Sequence, residues 1–186
     1  MKGKRLLQVG LLALGLMSTT LGAQARSNSA TKTITLVDTV RQETARFKDL
    51  EEAKKAGYGL LHGCVSGPQD GAMGLHFANG DLVGDNEIDA AHPEALLYEP
   101  RNGKMELVGV EYVVLADGWN ANHPAPPVLM GQLFNFVGAP NRYGIPAFYE
   151  LHVWAWQNNP NGVFADWNPR VSCESYVGDA TAGGHH

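Results

Sequence analysis

The spacing of apolar residues changes near Gly57, which divides the sequence into a helical part and a part with the pattern of strands and turns. Before Gly57 the apolar side chains recur at intervals that place them on one face of a helix. They are Val40, Phe47, Leu50 and Ala53. Thr39 followed by Gln42 fits a capping box, and Gly57 is placed to end the helix. Because Asp49 with Glu52 offers a second start, the segment predicts one or two short helices.

After Gly57, short apolar runs are separated by Gly, Pro and Asn, which is typical of strands joined by turns. Residues 96–98 and 105–115 flank Pro100-Arg101-Asn102-Gly103, and Asn-Gly in this position is a strong hairpin signal. Residues 147–156 form the clearest strand. Residues 116–147 are rich in Pro, Gly and Asn and predict a lid or binding loop. Within that loop, the apolar residues 128–137 fit either a short helix or a strand.

These patterns predict an α+β fold, in which one or two N-terminal helices pack on a curved antiparallel β-sheet or a small β-barrel. We expect a single domain over residues 39–178, preceded by a flexible segment over residues 26–38. Residues 179–186, which end in two histidines, are expected to form a flexible tail.

The first 25 residues have the pattern of a secretory signal peptide. Lys2, Lys4 and Arg5 precede an apolar run, and Ala23-Gln24-Ala25 offers a small-x-small cleavage site. The apolar run is too short to span a bilayer, and no later run approaches that length. The sequence therefore predicts a periplasmic or secreted protein that starts at Arg26 and has no membrane span after cleavage.

Charge narrows the range of partners. The whole chain carries 14 Lys and Arg residues against 19 Asp and Glu residues, a net charge of −5. Removal of the signal peptide takes away three basic residues and leaves 11 against 19, a net charge of −8. Five of the remaining basic residues fall within residues 39–56. Because the rest of the chain has no basic stripe to neutralise phosphates, nucleic acid and anionic lipid are not expected as partners.

The two cysteines, Cys64 and Cys173, both lie after the predicted cleavage site. Two thiols in an exported chain usually pair, so we expect a disulfide between them. Such a bridge would close a loop worth about 4 to 5 kcal/mol in the chain-entropy model. The alternative is that one or both thiolates bind a metal, although the sequence has no Cys-x-x-Cys pair.

Candidate chemistry is concentrated on one strand. In residues 147–156, alternation places Glu150, His152, Trp154 and Trp156 on the same face. A carboxylate and an imidazole beside two large aromatic rings indicate a cavity, where these polar groups need partners. The candidate metal ligands of the whole sequence are His76, His152, Glu150, Glu111 and His62.

Two or three imidazoles with a carboxylate are the ligand set of a divalent transition metal such as zinc, copper or non-haem iron. The competing interpretation is that these are core histidines held by hydrogen bonds, because the sequence has no HExxH motif and no tight cluster. The leading functional hypothesis is a small-ligand or metal-binding domain, with a catalytic role for the metal left open. In this hypothesis Trp154, Trp156 and Tyr112 shape the ligand pocket.

The first alternative is a non-catalytic envelope or carbohydrate-binding module, in which Trp119, Trp154, Trp156 and Trp167 serve as stacking platforms. A second alternative is a structural envelope protein that binds no ligand. A cavity beside His152 would count against that last hypothesis.

Four segments resemble a family of uncharacterised secreted bacterial proteins. They are Gly-Ala-Met-Gly-Leu-His-Phe at 71–77, Pro-Glu-Ala-Leu-Leu-Tyr-Glu-Pro at 93–100, Val-Gly-Val-Glu-Tyr-Val-Val at 108–114, and Glu-Leu-His-Val-Trp-Ala-Trp-Gln-Asn-Asn-Pro-Asn-Gly at 150–162. The resemblance implies no activity. It does imply that His76, Glu111, Glu150 and His152 lie in segments that recur in the family.

Overall fold

The computed structural model describes residues 33–67 and 69–178, and this part of the chain begins with two α-helices. Helix α1 spans Leu36–Thr44 and α2 spans Leu50–Lys55, joined by a 3₁₀ turn over Ala45–Lys48. The prediction that a second short helix begins at Asp49 is therefore confirmed. The Asp49 side chain caps α2 by accepting a hydrogen bond from the backbone N–H of Glu51.

The predicted start of α1 is wrong. The capping box is formed by Thr35 and Asp38, not by Thr39 and Gln42, and the helix begins at Leu36. The Thr35 hydroxyl accepts from the N–H of Asp38, and the Asp38 carboxylate accepts from the N–H of Thr35. Residues 35–38, which the sequence assigns to a flexible segment, thus form the capped first turn of the helix.

The rest of the described chain forms antiparallel strands with two short helices between them. The strands are β1 (Gly59–Leu60), β2 (Val65–Gly67), β3 (Gly71–Ala78), β4 (Ala95–Arg101), β5 (Lys104–Leu115), β6 (Val128–Leu129), β7 (Gln132–Leu133), β8 (Asn135–Val137) and β9 (Phe148–Val153). Helix α3 spans Gly80–Gly84 and α4 spans Ala116–Asn120. The predicted hairpin is confirmed at β4 and β5, where Asn102 and Gly103 both have positive φ.

Seven strands form one sheet in the order β1-β3-β4-β5-β9-β8, with β2 also paired to β3, and β6 pairs with β7 in a separate two-stranded sheet. The α+β class with an antiparallel sheet is confirmed. Of the two alternatives, the structure has an open sheet, because β1 and β8 do not pair with each other. The apolar residues 128–137 of the long loop form strands β6, β7 and β8.

One face of the sheet packs against the N-terminal helices. The core on this face combines Val40, Phe47 and Ala53 from the helical segment with buried strand residues. These strand residues include Leu75, Leu96, Tyr98, Val110, Tyr112, Val114, Leu151 and Val153. The helical face inferred from the sequence is thus the face that is buried on the sheet.

The opposite face of the sheet has a smaller apolar cluster and the polar residues of interest. The cluster contains Ala72, Leu97, Val108, Trp154 and Val171. The chain after β9 covers this face, and Asn168 in that segment forms a bridge with Ala72.

The predicted disulfide is confirmed. Cys64 and Cys173 are bonded, with an S–S distance of 2.07 Å and a sequence separation of 109 residues. The bridge ties the loop between β1 and β2 to the last described part of the chain. Both sulfur atoms are in the disulfide, so neither cysteine has a free thiolate to bind a metal.

Strand β9 ends at Val153, three residues before the predicted end. The N–H groups of Trp156 and Gln157 both donate to the carbonyl of Val108, and this irregular pairing breaks the alternation of side chains. As a result Trp156 does not share a face with His152. It packs against the helix-side core, and its Nε1 donates to the Thr44 hydroxyl at 3.1 Å.

The predicted signal peptide and the predicted C-terminal tail lie outside the described residues. Within residues 33–67 and 69–178, the structure has no helix with the length and hydropathy needed to cross a membrane.

Candidate metal centre

Three buried side chains from three different strands meet on the face of the sheet opposite the helices. His76 lies on β3, Glu111 on β5 and His152 on β9. Glu111 and His152 are direct partners in the β5–β9 ladder, so their side chains start side by side. A potential metal-ligand atom from each of the three residues lies within 4.8 Å of those from the other two.

His76 reaches this cluster across an intervening strand. Strand β4 separates β3 from β5, and its residue Ala95 is the register partner of Glu111. On β4 the register partner of His76 is Leu97, so His76 and Glu111 approach each other diagonally, and His76 Nε2 lies 3.4 Å from Glu111 Oε2.

Gly109 allows the chain at the end of β9 to pack closely on the same face of β5. A Cβ atom at this position would lie 2.8 Å from the Val153 carbonyl oxygen and 3.3 Å from the Trp154 ring. Such a distance is too short for a carbon atom, so a side chain here would push β9 away from β5. The close approach of these strands sets the position of His152 relative to Glu111.

Two further carboxylates surround His152. Glu150 lies two residues before it on β9, and Asp166 comes from the segment that covers this face. Asp166 Oδ1 lies 3.7 Å from His152 Nδ1 and accepts a hydrogen bond of 3.0 Å from Asn135 Nδ2. Glu150, His152 and Asp166 form a second group whose potential ligand atoms all lie within 4.8 Å of one another.

The histidines of the site have ring nitrogens without partners. Within the part of the chain that the structure describes, four buried side-chain nitrogen or oxygen atoms have no hydrogen-bond partner, and all four belong to histidines. They are His62 Nε2, His76 Nδ1, His152 Nδ1 and His152 Nε2. A buried polar atom without a partner loses its hydration and gains nothing in return, and native structures rarely leave one without an ion or water.

Burial shifts the protonation equilibria of the whole cluster toward neutral groups. Loss of solvent lowers the pKa of His76 to about 3 and that of His152 to about 4, and the neighbouring His152 adds to the effect on His76. Both imidazoles are therefore neutral at neutral pH, which is the state that binds metal. Burial also raises the pKa of Glu111 well above its usual range, and the adjacent Glu150 carboxylate raises it further.

Glu150 and Asp166 show the same trend. Burial raises the pKa of Glu150, and the nearby Asp166 adds to this shift. Burial likewise raises the pKa of Asp166. These buried carboxyl groups ionise poorly because no positive charge from the described residues lies nearby. A bound cation would favour the ionised form, which is the form that binds metal.

A cavity of about 560 Å³ opens beside the cluster, and His76 and Glu111 lie in its wall. His152 is fully buried behind them. The remaining walls come from β1 and the loop after it, from α3, from neighbouring positions of β3, β4, β5 and β9, and from the loop before β9. An ion held by the three ligands would therefore have its open side toward the cavity.

The structure brings together four of the five metal ligands proposed from the sequence: His76, Glu111, Glu150 and His152. His62 lies in the cavity wall and outside both groups of converging ligand atoms. Its ring is 6.0 Å from that of Tyr143, measured between centroids.

The pocket aromatics proposed from the sequence are placed differently. Trp154 stacks beside His152 with ring centroids 6.2 Å apart and is 2% exposed, so it supports the histidine from behind. Tyr112 and Trp156 lie outside the lining of this cavity. Tyr112 has the opposite orientation from Glu111 on β5, packs in the helix-side core and donates its hydroxyl to the Ala90 carbonyl.

Three residues of the site were missed. Phe148 and Tyr143 are the aromatic residues that line the cavity, and Asp166 is the carboxylate beside His152 Nδ1. Phe148 was detectable, because alternation along β9 places it on the face of Glu150 and His152. Asp166 and Tyr143 lie in irregular segments, where spacing does not indicate which way a side chain points.

Comparison of this chain with protein-family models, with curated proteins and with solved structures gives no match. The resemblance to secreted bacterial proteins stays a prediction, and the function of the site has to be argued from its own geometry.

Proposed function

We propose that the protein binds one divalent transition metal ion through His76, Glu111 and His152. The observation that carries this proposal is the convergence of ligand atoms from His76, Glu111 and His152, all buried, together with the two unpartnered ring nitrogens of His152. A metal ion would bind one of the two unpartnered nitrogens of His152. It would also supply the positive charge that the buried carboxyl groups lack.

The ligand set indicates the kind of metal and the kind of site. Two imidazoles and one carboxylate suit zinc, copper or non-haem iron better than magnesium or calcium, which prefer oxygen ligands alone. Three protein ligands leave a coordination position open, which is typical of catalytic sites, whereas structural zinc sites are closed by four protein ligands. The open position would face the cavity, where a small molecule can reach the ion.

The proposal includes export of the protein from the cytoplasm. From the signal pattern over residues 1–25 we infer that the mature protein is periplasmic or secreted. The Cys64–Cys173 disulfide supports this location, because such bridges persist in oxidising compartments.

The alternative of a carbohydrate-binding module has less support. A stacking platform needs an exposed ring face, but Trp154 is 2% exposed and Trp156 is covered by the Lys48 ammonium group, 3.7 Å from its ring centroid. One face of Trp119 is stacked on His123. The structural protein without a ligand is also less supported, since a cavity lies beside the histidine cluster.

Elemental analysis of protein purified without an affinity tag, and with His185 and His186 deleted, tests the proposal. We expect about one equivalent of a transition metal after purification or after reconstitution, and loss of that metal in His76→Asn and His152→Asn. His92→Asn is the matched control, because His92 is paired with Asp89 at the surface, away from the site.

Circular dichroism would show whether the two site variants still fold. Metal that stays bound in both folded variants, or that never binds the wild-type chain on reconstitution, would overturn the proposal. A spectrum of the cobalt-substituted protein gives an independent view of the ligand set, since loss of one imidazole changes the d–d bands.

A further inference from the structure

The cavity in front of the metal centre has a composition that selects for one class of ligand. Its volume of about 560 Å³ falls in the range of sites for small organic molecules. The lining residues are mostly apolar: Leu60, Leu61, Ala78, Val83, Ala95, Val113, Leu115, Ile145, Pro146 and Phe148. The polar side chains among them are His62, His76, Glu111 and the Tyr143 hydroxyl.

Without a bound metal ion, the charge of the lining disfavours anions. No Lys or Arg is among the described residues that line the cavity. Arg142 is adjacent in sequence to the lining residue Tyr143, but its guanidinium lies over the Trp167 ring and donates to the Ser66 carbonyl. A carboxylate or phosphate that entered a metal-free cavity would lose its hydration beside Glu111 and gain no ion pair.

The entrance is apolar as well. Leu60 and Leu61 lie in the cavity wall, yet they are 48% and 49% exposed. Leucine side chains that are half-exposed at the edge of an apolar cavity contribute binding energy only when a ligand covers them. Their position extends the apolar surface from the interior of the cavity to the solvent.

We infer that the cavity binds a predominantly apolar small molecule beside the open side of the metal ion, and that the metal-free cavity selects an uncharged molecule of this kind. The part of this inference that concerns the metal rests on the proposed function. The part that concerns the cavity does not, because its apolar walls and its lack of cations are present without the ion.

Equilibrium dialysis of chelator-treated protein against 2-naphthol and 2-naphthoate tests the inference, because the two probes share a ring system and differ in charge at neutral pH. We expect saturable binding of 2-naphthol, with an affinity at least about ten-fold higher than that for 2-naphthoate, since burying the carboxylate has no compensating cation. Ala78→Leu, which fills part of the cavity, should weaken 2-naphthol binding by about ten-fold or more. Ala121→Leu is the matched control, because Ala121 is exposed and lies outside the cavity.

Absence of 2-naphthol binding, equal binding of the two probes, or equal binding by wild type and a folded Ala78→Leu variant would each overturn the inference. Metal content of the same protein, measured before chelator treatment and again after reconstitution, separates this result from the proposed function. Protein that binds one metal ion but no 2-naphthol would retain the metal site and lose the apolar ligand. Protein that binds 2-naphthol but no metal would support the apolar ligand site and contradict the metal site.

Discussion

Asp166 is positioned to orient His152 for metal binding. Its carboxylate lies 3.7 Å from His152 Nδ1 and is held by the amide of Asn135. Histidine ligands of metals usually donate their second ring N–H to a carboxylate, which fixes the tautomer and the direction of the ring. In this arrangement Nδ1 faces Asp166, and Nε2 is the nitrogen that would bind the ion.

Asp166→Asn should lower metal affinity about 10- to 100-fold while one equivalent still binds at saturating metal. The amide retains the size of the carboxylate but holds the imidazole less firmly. Competition with a chelator of known affinity measures the change, and Asp70→Asn at an exposed position provides the control. Unchanged affinity would show that Asp166 does not act through His152, whereas loss of all binding would make Asp166 a ligand.

Glu94 makes the stability of the metal-free protein depend on pH. Its carboxyl group is 2% exposed and accepts a hydrogen bond from the N–H of Val113. Burial raises its pKa to about 8, against an ordinary value of 4.5. The folded state therefore holds a proton that the unfolded chain releases, and the stability this provides is complete below pH 4.5 and is lost as the pH rises toward 8.

Glu94→Gln should prevent the loss of stability at high pH, because the amide is neutral at every pH and its oxygen can still accept a hydrogen bond from the N–H of Val113. We expect the free energies of unfolding of the variant and the wild type to differ little near pH 4.5. At pH 8 the variant should be more stable by on the order of a few kcal/mol. Urea unfolding in the presence of a chelator measures both, and Glu87→Gln is the exposed control. A difference that does not grow with pH would contradict the assignment.

At the scale of elements, the sequence was most informative where the structure is regular. Asn102-Gly103 identified the central hairpin, because both residues adopt the positive φ that this turn requires. Alternation along β9 correctly placed Glu150 and His152 on one face. It failed at Trp156, because the carbonyl of Val108 on another strand accepts two N–H groups there and turns the chain. Such a contact between distant residues leaves no trace in local spacing.

The start of α1 shows a different limit of local patterns. Thr39 with Gln42 and Thr35 with Asp38 both resemble capping pairs, so the sequence around them does not choose between the two. Packing determines which pair caps the helix, because Leu36 and Val40 are 3% and 0% exposed and are both buried as part of the helix. A helix that began after Thr39 would leave Leu36 outside this apolar contact.

The metal centre could be predicted only in part for the same reason. Each of His76, Glu111 and His152 stood out as a polar residue in an apolar strand. Their convergence depends on the order of strands β3-β4-β5-β9 and on the register between them. Strand order is a property of the whole chain, so candidate ligands could be named from the sequence although the site could not be assembled.

The disulfide acts at the scale of the whole molecule, because it joins the loop that contains His62 to the end of the described chain. Replacing both Cys64 and Cys173 with Ser should lower the free energy of unfolding by about 4 to 5 kcal/mol in the chain-entropy model. Urea unfolding of the variant, and of the reduced wild type, measures this cost. Alkylation of the unreduced, denatured protein followed by intact-mass analysis is the control, and two alkylated thiols would show that the bridge is absent.

The lengths of the strands bear on how the protein resists aggregation. The outer strands β1 and β8 have two and three residues, while the 12-residue β5 lies in the interior of the sheet and pairs with β4 and β9. Short edges offer few unpaired N–H and C=O groups to a strand from another molecule. The longest strand is thus accessible to other chains only before the sheet has formed, so self-association through β5 should be a hazard of folding intermediates and not of the native protein.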